Sequence, residues 1–359
     1  MLVESPSGAI FVSGYNRQFP VLWKSTDLGA TWRSVDVGTS TNGAVGNSDV
    51  SLAAAPDGTI YFAVMTYNSA AHEGVQIAVG VSRDLGASWH WETVSRARYD
   101  DRPWIAVAPN GTAHLIWNDG TGVLHSTSRD HGMTWTPPVH IHDRGGSSHM
   151  VIGPSGQIAV RIAPGARSGF VCDTTTDLVA LSTDDGATWR KVKAPGTGRT
   201  PGCADDGEIP RWVDPLAFDR TGTLYALWTD SSGVVLGRAG RDPSRWTTWR
   251  LVRRTASEPI AFYPYLAARG NGELAATWML MTPDTLHWRA ANIVVRGDGS
   301  APDVKLSAPI PLEAFWAGKP IPGGEYLATA ILRDGSIGVV TPLLNPTKRR
   351  GGFVWRRFR

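Results

Sequence analysis

One octapeptide occurs four times in this chain. It reads STDLGATW from Ser25, SRDLGASW from Ser82, SRDHGMTW from Ser128 and STDDGATW from Ser182. Only the leading Ser, the Asp, the Gly, a hydroxyl residue and the closing Trp persist. Those are turn-forming and packing residues, so the motif encodes a local structure used repeatedly. The Asp can accept hydrogen bonds from backbone N–H groups of a turn. The Gly supplies a left-handed residue. The Trp is large enough to close a small core against neighbouring strands. A period of roughly 40 to 60 residues is that of propeller blades.

A second repeat precedes the first. Short turn signals lead into apolar, β-branched or aromatic runs at PSGAIFVSGY (Pro6), PDGTIYFAVM (Pro56), PNGTAHLIWN (Pro109) and PSGQIAVRIA (Pro154). The same pattern follows at RTGTLYALWT (Arg220), RGNGELAATWM (Arg269) and RDGSIGVVTPL (Arg333). Each follows another strand-like run, so each unit opens with a hairpin. A strand such as QIAVGVS enters the octapeptide and one such as WHWETV leaves it, which places it between the third and fourth strands of a unit. Helical periodicity is almost absent. The expected fold is therefore all-β: a single β-propeller over residues 1–359, with seven four-stranded antiparallel blades, one per hairpin. A six-bladed ring with an irregular end is the alternative. The octapeptide is degraded in the fifth unit (GRAGRDPSRWTTW) and lost from the sixth and seventh.

Composition adds bounds. With 359 residues, 42% of them hydrophobic, there is ample material for a core. A net charge of +3 gives no footprint for nucleic acid, and no apolar run reaches the ~18 residues that span a bilayer. The N-terminus, MLVESPSG, has neither a charged nor an apolar leader region. The run from Lys348 to Arg359 is rich in Arg and reads as a basic last strand, with an anionic-ligand patch as the alternative.

The octapeptide closely resembles the Asp-box (BNR repeat), Ser-x-Asp-x-Gly-x-Thr-Trp, of the sialidase-like propellers, and the repeats cover nearly the whole chain. In such a frame Asp27, Asp84, Asp130 and Asp184 are structural, each satisfied within an outer turn. Four carboxylates spread around a rim cannot converge on one substrate. Chemistry is expected where inner strands begin and where second-to-third-strand loops meet, at the mouth of the central channel. The inner-strand starts offer Asp49, Asp100, Asp101, Arg102, His149, Glu208, Arg211, Asp214, Tyr263, Tyr265, Glu325 and Tyr326. The loops add Asn16, Arg17, Tyr67, Asn68, Asn118, Asp119, Arg161 and Asp230. Carboxylates, arginines and tyrosines in one mouth suit an anionic sugar.

Residue by residue, Arg102-Pro103 is similar to a shortened Arg-Ile-Pro motif, whose Arg grips the sialic carboxylate. Asp214-Pro215 resembles the Glu-Pro position that orients a nucleophilic Tyr, and Tyr263 in Tyr-Pro-Tyr-Leu stands where that Tyr would be. Asp101 or Asp49 would then be the general acid. A phenol suits a substrate whose own carboxylate repels an anionic nucleophile. The strand ends that carry the second and third arginines in the family read Trp228-Thr229-Asp230 and Met279-Leu280 here, leaving Arg161 and Arg211 as substitutes. Two further readings stand beside a sialidase-like one. A lyase or hydrolase of uronate- or rhamnose-containing polysaccharides would use Arg102 or Arg161 to neutralise a carboxylate and His149 or Tyr263 to take a proton. A non-catalytic glycan- or protein-binding platform would use the same mouth without turnover. Glu208, Tyr326 and Asp49 complete the expected substrate-binding set. Carbohydrate is the expected partner. No nucleic acid, cofactor or metal is expected.

Two cysteines, Cys172 and Cys203, fall in loops of the same expected face. A disulfide between them would stabilise the fold by on the order of 3 kcal/mol in the chain-entropy view, with two free buried thiols as the alternative. Such a bridge favours an exported protein, as does the resemblance to Asp-box proteins, so a secreted or extracytoplasmic location is expected.

Overall fold

A computed structural model describes residues 1–14, 18–163, 177–196, 213–257, 260–281, 286–311, 328–344 and 351–359. The strands group into seven antiparallel sheets set around a ring. Blade 1 holds β1 (Leu2–Glu4), β2 (Ile10–Ser13), β3 (Leu22–Ser25) and β4 (Arg33–Val35). Blade 2 holds β5 (Val50–Ala54), β6 (Ile60–Asn68), β7 (Glu73–Ser82) and β8 (His90–Ser95). Blade 3 holds β9 (Asp101–Val107), β10 (Ala113–Asn118), β11 (Val123–Ser128) and β12 (Val139–His142). Blade 4 holds β13 (Gly146–Ile152), β14 (Ile158–Ala163), β15 (Leu178–Ser182) and β16 (Arg190–Lys193). Blade 5 holds β17 (Leu216–Phe218), β18 (Leu224–Asp230), β19 (Gly233–Ala239) and β20 (Trp246–Arg253). Blade 6 holds β21 (Ile260–Arg269), β22 (Glu273–Met281), β23 (Leu286–Val294) and β24 (Asp303–Leu306), with β25 (Ile310–Pro311) also on β23. Blade 7 holds β26 (Thr329–Ile331), β27 (Ile337–Leu344) and β28 (Gly351–Phe358).

The seven blades follow the seven hairpins, one each, so the ring has seven blades rather than six. Among the described residues the only helical turn is a short 3-10 segment at Ser40–Asn42. Within each blade the strands pair in sequence order. The inner strands β1, β5, β9, β13, β17, β21 and β26 each adjoin the next, and β26 returns to β1 to close the ring.

Every blade buries both faces against its neighbours. This is why the second strands read as continuous apolar runs, such as IYFAV, HLIW and LYALW, and not as an alternating pattern. The core is a series of clusters, most of them spanning two blades. Phe11 meets Phe62 and Trp91, Tyr61 and Val81 meet Trp117, and Leu227 meets Trp278. Trp117, Trp278 and Trp288 are fully buried, each contributing about 2–3 kcal/mol by removal from water.

The octapeptide lies between the third and fourth strands of blades 1 to 4, as its flanking runs imply. In blade 1, Ser25 Oγ donates to Asp27 Oδ1 (2.7 Å) and accepts from the Gly29 amide (2.8 Å). Thr31 donates to Asp27 through its amide (2.9 Å) and its hydroxyl (2.6 Å). Asp84, Asp130 and Asp184 take the same bonds from Ser82 and Ser88, Ser128 and Thr134, and Ser182 and Thr188. The hydroxyl of the seventh residue, then the other donors, hold all four carboxyls down at about 2.

Two details differ from expectation. The left-handed conformation is shared by two residues, because Leu28, Leu85, His131 and Asp185, just before the glycines, also have positive φ. The carboxylate's bonds over-determine the turn and hold that residue there. Second, the turn docks outward as well as inward. A Cβ on Gly86 would touch Phe11 and Val35, one on Gly132 would lie 2.6 Å from Val81 Cγ2, and one on Gly186 would collide with His125. Gly29 meets Trp355 in the same way, and Trp32 packs edge-on against Phe353 (4.9 Å) and Trp355 (5.4 Å). Each turn therefore seats on the preceding blade, with blade 1 seated on blade 7. Blade 5 keeps a reduced version, in which Asp242 accepts from the Ser244 amide (3.1 Å) and hydroxyl (2.7 Å).

Candidate functional site

Strand direction divides the ring into two faces. Opening hairpins and octapeptide turns lie on one. Inner-strand starts, blade-to-blade linkers and second-to-third-strand loops lie on the other, and the candidate site residues sit at these positions.

The densest cluster spans blades 3 to 5. Arg161 comes from the upper end of β14, with only 1% of its surface exposed. Its Nη2 pairs with Asp214 Oδ2 (2.8 Å) and with Asp177, while Nη1 donates to the carbonyls of Ile162 (2.8 Å) and Leu178 (3.2 Å). Asp214 and Asp177 are both buried. The two carboxylates and two carbonyls offset the desolvation cost of burying this cation. Asp214 is fixed from behind by its own amide, which donates to Ser148 Oγ (2.8 Å).

His149, next to Ser148 on β13, is also buried. Its Nδ1 accepts from the Leu216 amide (3.2 Å), and its ring stands edge-on to Trp104 (4.9 Å) and Tyr265 (5.8 Å). Burial lowers its pKa to about 4, so the ring is neutral near pH 7. With Nδ1 engaged as acceptor, the proton of the neutral ring is assigned to Nε2. His149 thus carries its one N–H donor at Nε2. Burial also pushes the Tyr265 phenol up, keeping it neutral beside the imidazole.

The Asp101-Arg102 pair opens β9. Arg102 Nε stands 3.6 Å from Asp101 Oδ2, and the Arg102 carbonyl accepts from Ser147 Oγ (2.8 Å), tying blade 3 to blade 4. Arg102 has φ 53° and Tyr263 has φ 47°, and both lie at register slips, opposite Ile116/Asn118 in blade 3 and between Phe262 and Tyr265 in blade 6. The two X-Pro starts are thus bulged alike. Asp100, between the linker and β9, accepts from the Ala97 amide (2.9 Å) and Trp117 Nε1 (3.0 Å), and burial raises its pKa.

The structure therefore brings Arg161, Asp214 and His149 together and pairs Asp101 with Arg102. It places Tyr263 in another cluster, buried between blades 6 and 7 with Met279, Trp288 and Val339. Asp49 is half-buried at the start of blade 2, where its carbonyl accepts from the Met65 amide (2.9 Å). Arg211, Glu208, Tyr326, Cys172 and Cys203 lie outside the described residues. Sequence reading missed Asp177, Ser148 and Trp104. Asp177 ends the stretch GARSGFVCDTTTD, where an Asp after three threonines has no signature. No group of three or more His, Cys, Asp or Glu side chains among the described residues is placed to hold a metal. No described helix is long and apolar enough to cross a membrane.

The sequence matches no protein-family model and no curated protein. Solved structures are similar in fold. An ulvan lyase, described as a new polysaccharide lyase family, PL25, superposes with a TM-score of 0.58 at 13% identity, covering 99% of this chain and 91% of the lyase. The same lyase bound to -[GlcA(1-4)Rha3S]- gives 0.56 with the same identity and coverage. A protein of unknown function from Dyadobacter fermentans gives 0.53 at 15% identity, covering 82% of this chain and 93% of its own. At these identities the likeness shows the fold, a β-propeller shared over nearly the whole chain.

Proposed function

We propose that this chain is an exported, sialidase-like propeller that binds and processes an anionic glycan at the mouth of its central channel. The observation that carries this reading is the convergence of Arg161, Asp214 and His149 on adjoining blades, with Arg102 on the preceding inner strand. Arg161 and its two carboxylates form the buried frame of this mouth, while Arg102 and the neutral N–H of His149 are the groups suited to a carboxylate or sulfate. The octapeptides, read as Asp-boxes, support the sialidase-like frame and, through that resemblance, export.

Within this reading, elimination on a uronate-containing polysaccharide is favoured over hydrolysis through a Tyr nucleophile. Seven blades and the end-to-end likeness to an ulvan lyase support it. A base removes the proton at C5, the C4–O bond breaks, a C4=C5 double bond forms, and the leaving oxygen takes up a proton. Arg102 would neutralise the uronate carboxylate, and His149 would donate a hydrogen bond to it. Tyr263 is the candidate base. In the hydrolase alternative Tyr263 would instead attack the sugar with Asp101 as acid, but Asp214, paired with Arg161, does not stand beside Tyr263 to orient it.

The test is a product screen on uronate-containing polysaccharides and on sialosides, by chromatography and by absorbance in the unsaturated-uronate band. Elimination predicts unsaturated products that Arg102→Ala abolishes while the melting temperature stays unchanged. Release of free sialic acid, lost in Tyr263→Phe, would replace elimination by hydrolysis. No product on any substrate, with retained binding on a glycan array, would make the mouth a binding platform.

A further inference from the structure

Eight non-glycine residues among those described have positive φ. Four belong to the octapeptide turns, where carboxylate bonds hold them. The other four are His72 (54°), Tyr99 (68°), Arg102 (53°) and Tyr263 (47°), and all four lie on the channel face. Bulky side chains in this conformation cost of order 1 kcal/mol or more each, and such residues cluster at functional sites. Three of the four belong to the junction of blades 2 and 3: His72 between β6 and β7, Tyr99 in the linker, and Arg102 near the start of β9.

That corner is held rigidly. The Tyr99 amide donates to the Gly74 carbonyl (2.8 Å), and Asp100 pins Ala97 and Trp117. Gly120 lies so close beneath Tyr99 that a Cβ there would stand 2.7 Å from Tyr99 Cβ. On this base sits Arg98. Its guanidinium lies 5.2 Å from the centroid of the Tyr99 ring, and its Nε donates to Glu73 Oε2 (2.9 Å), with Nη2 at 2.8 Å from the same oxygen. Glu73 is 9% exposed at its side chain, whereas Arg98 is 71% exposed. One edge of the fork is thus anchored on a buried carboxylate and one face on an aromatic ring. Nη1, on the other side, has no hydrogen-bond partner among the described residues. An arginine so fixed has already lost most of the rotamer freedom that gripping an anion would otherwise cost. Arg96 and Arg102 flank it in sequence, and His72 immediately precedes Glu73.

We infer that Arg98 is the anion-gripping residue of a second sugar subsite, taking the sulfate or carboxylate of a unit outside the one held at the inner-strand cluster. The inference rests on the glycan reading above and makes the substrate a polyanionic chain of at least two charged units. Tyr99 and Glu73 are positioning residues that act through Arg98.

The experiment compares a disaccharide and a tetrasaccharide of a sulfated glucuronate–rhamnose repeat, with desulfated and carboxyl-reduced versions of each. Affinity is measured by calorimetry, or as KM where the sugar is turned over. In the wild type the tetrasaccharide should bind about tenfold tighter than the disaccharide, the scale of one charge-assisted hydrogen-bond pair. Arg98→Gln should abolish that advantage and leave the disaccharide unchanged. Tyr99→Leu should lose part of it. The Arg98→Gln, Glu73→Gln double variant removes the stranded carboxylate and should bind like Arg98→Gln with a restored melting temperature. Whichever modified tetrasaccharide loses the advantage in the wild type identifies the group that Arg98 holds. A tetrasaccharide advantage that survives in both Arg98 variants overturns the subsite while leaving the channel reading intact. Failure of the wild type to bind either sugar overturns both.

Discussion

Two buried histidines give the fold a defined acid sensitivity. His125, on β11, is 3% exposed, its Nε2 lies 3.1 Å from His114 Nδ1, and burial pushes its pKa to about 3. His149 is pushed to about 4 by the same cause. Both are neutral in the folded state, while the unfolded chain protonates them near 6.5. Below that value the unfolded state binds more protons, so their contribution is intact above about pH 7 and falls as the pH drops. At pH 5 each accounts for about 2 kcal/mol of lost stability, together about 4 kcal/mol by linkage. That is a large part of the 5–15 kcal/mol typical of a folded protein. His114 shifts downward too and adds in the same direction. The turn carboxylates, held near 2, lie too low to titrate in this window. Urea unfolding at intervals between pH 8 and pH 5 should show stability falling steadily below pH 7. His125→Gln and His149→Gln should each lower stability at pH 8 and remove about 2 kcal/mol of the fall between pH 7 and pH 5. A flat wild-type profile, or slopes unchanged in both variants, would refute the reasoning.

Other expectations follow from packing and charge. Gly132→Ala forces a Cβ against Val81 at positive φ, and should cost about 1–3 kcal/mol in thermal or chemical unfolding. Gly111→Ala, where a similar φ meets open space, should cost only the backbone strain, about 1–2 kcal/mol. Arg161→Met leaves Asp177 and Asp214 buried without their cation, and should destabilise by about 3–5 kcal/mol, seen as a lowered urea midpoint.

The architecture was legible because its determinants are local. The serine, aspartate, glycine and hydroxyl of each octapeptide contact one another within seven positions, and the hairpin turns before PDGTIYF or PNGTAHL are as self-contained. The site was only partly legible, because its contacts are remote. Arg161 meets Asp214 53 positions away, and nothing near either residue reports the other. Asp177 follows a run of threonines, and its role exists only because β14 delivers Arg161 beside it. Tyr263 carries the sequence context expected of a site tyrosine. Its packing among Met279, Trp288 and Val339 depends on blade 7, whose strands begin more than sixty residues later. Arg98 gave no signal at all, since an arginine before a tyrosine in a linker is unremarkable until Glu73 and Gly120 close on it.

The seam between blades 1 and 7 governs how the molecule can assemble. Trp32 packs against Phe353 and Trp355, the Arg333 amide donates to Glu4 Oε2 (2.7 Å), and β26 lies against β1. The other pairs of adjoining inner strands join neighbours in sequence and can form as each unit is made. This one joins the two ends of the chain. Blades 1 to 6 can accumulate as an open arc, with one wall of blade 1 still wet, until β28 arrives. The final closure bears the loop-closure entropy of nearly the whole chain at once, so the seam is expected to be the slowest part of the ring to form and the first to open.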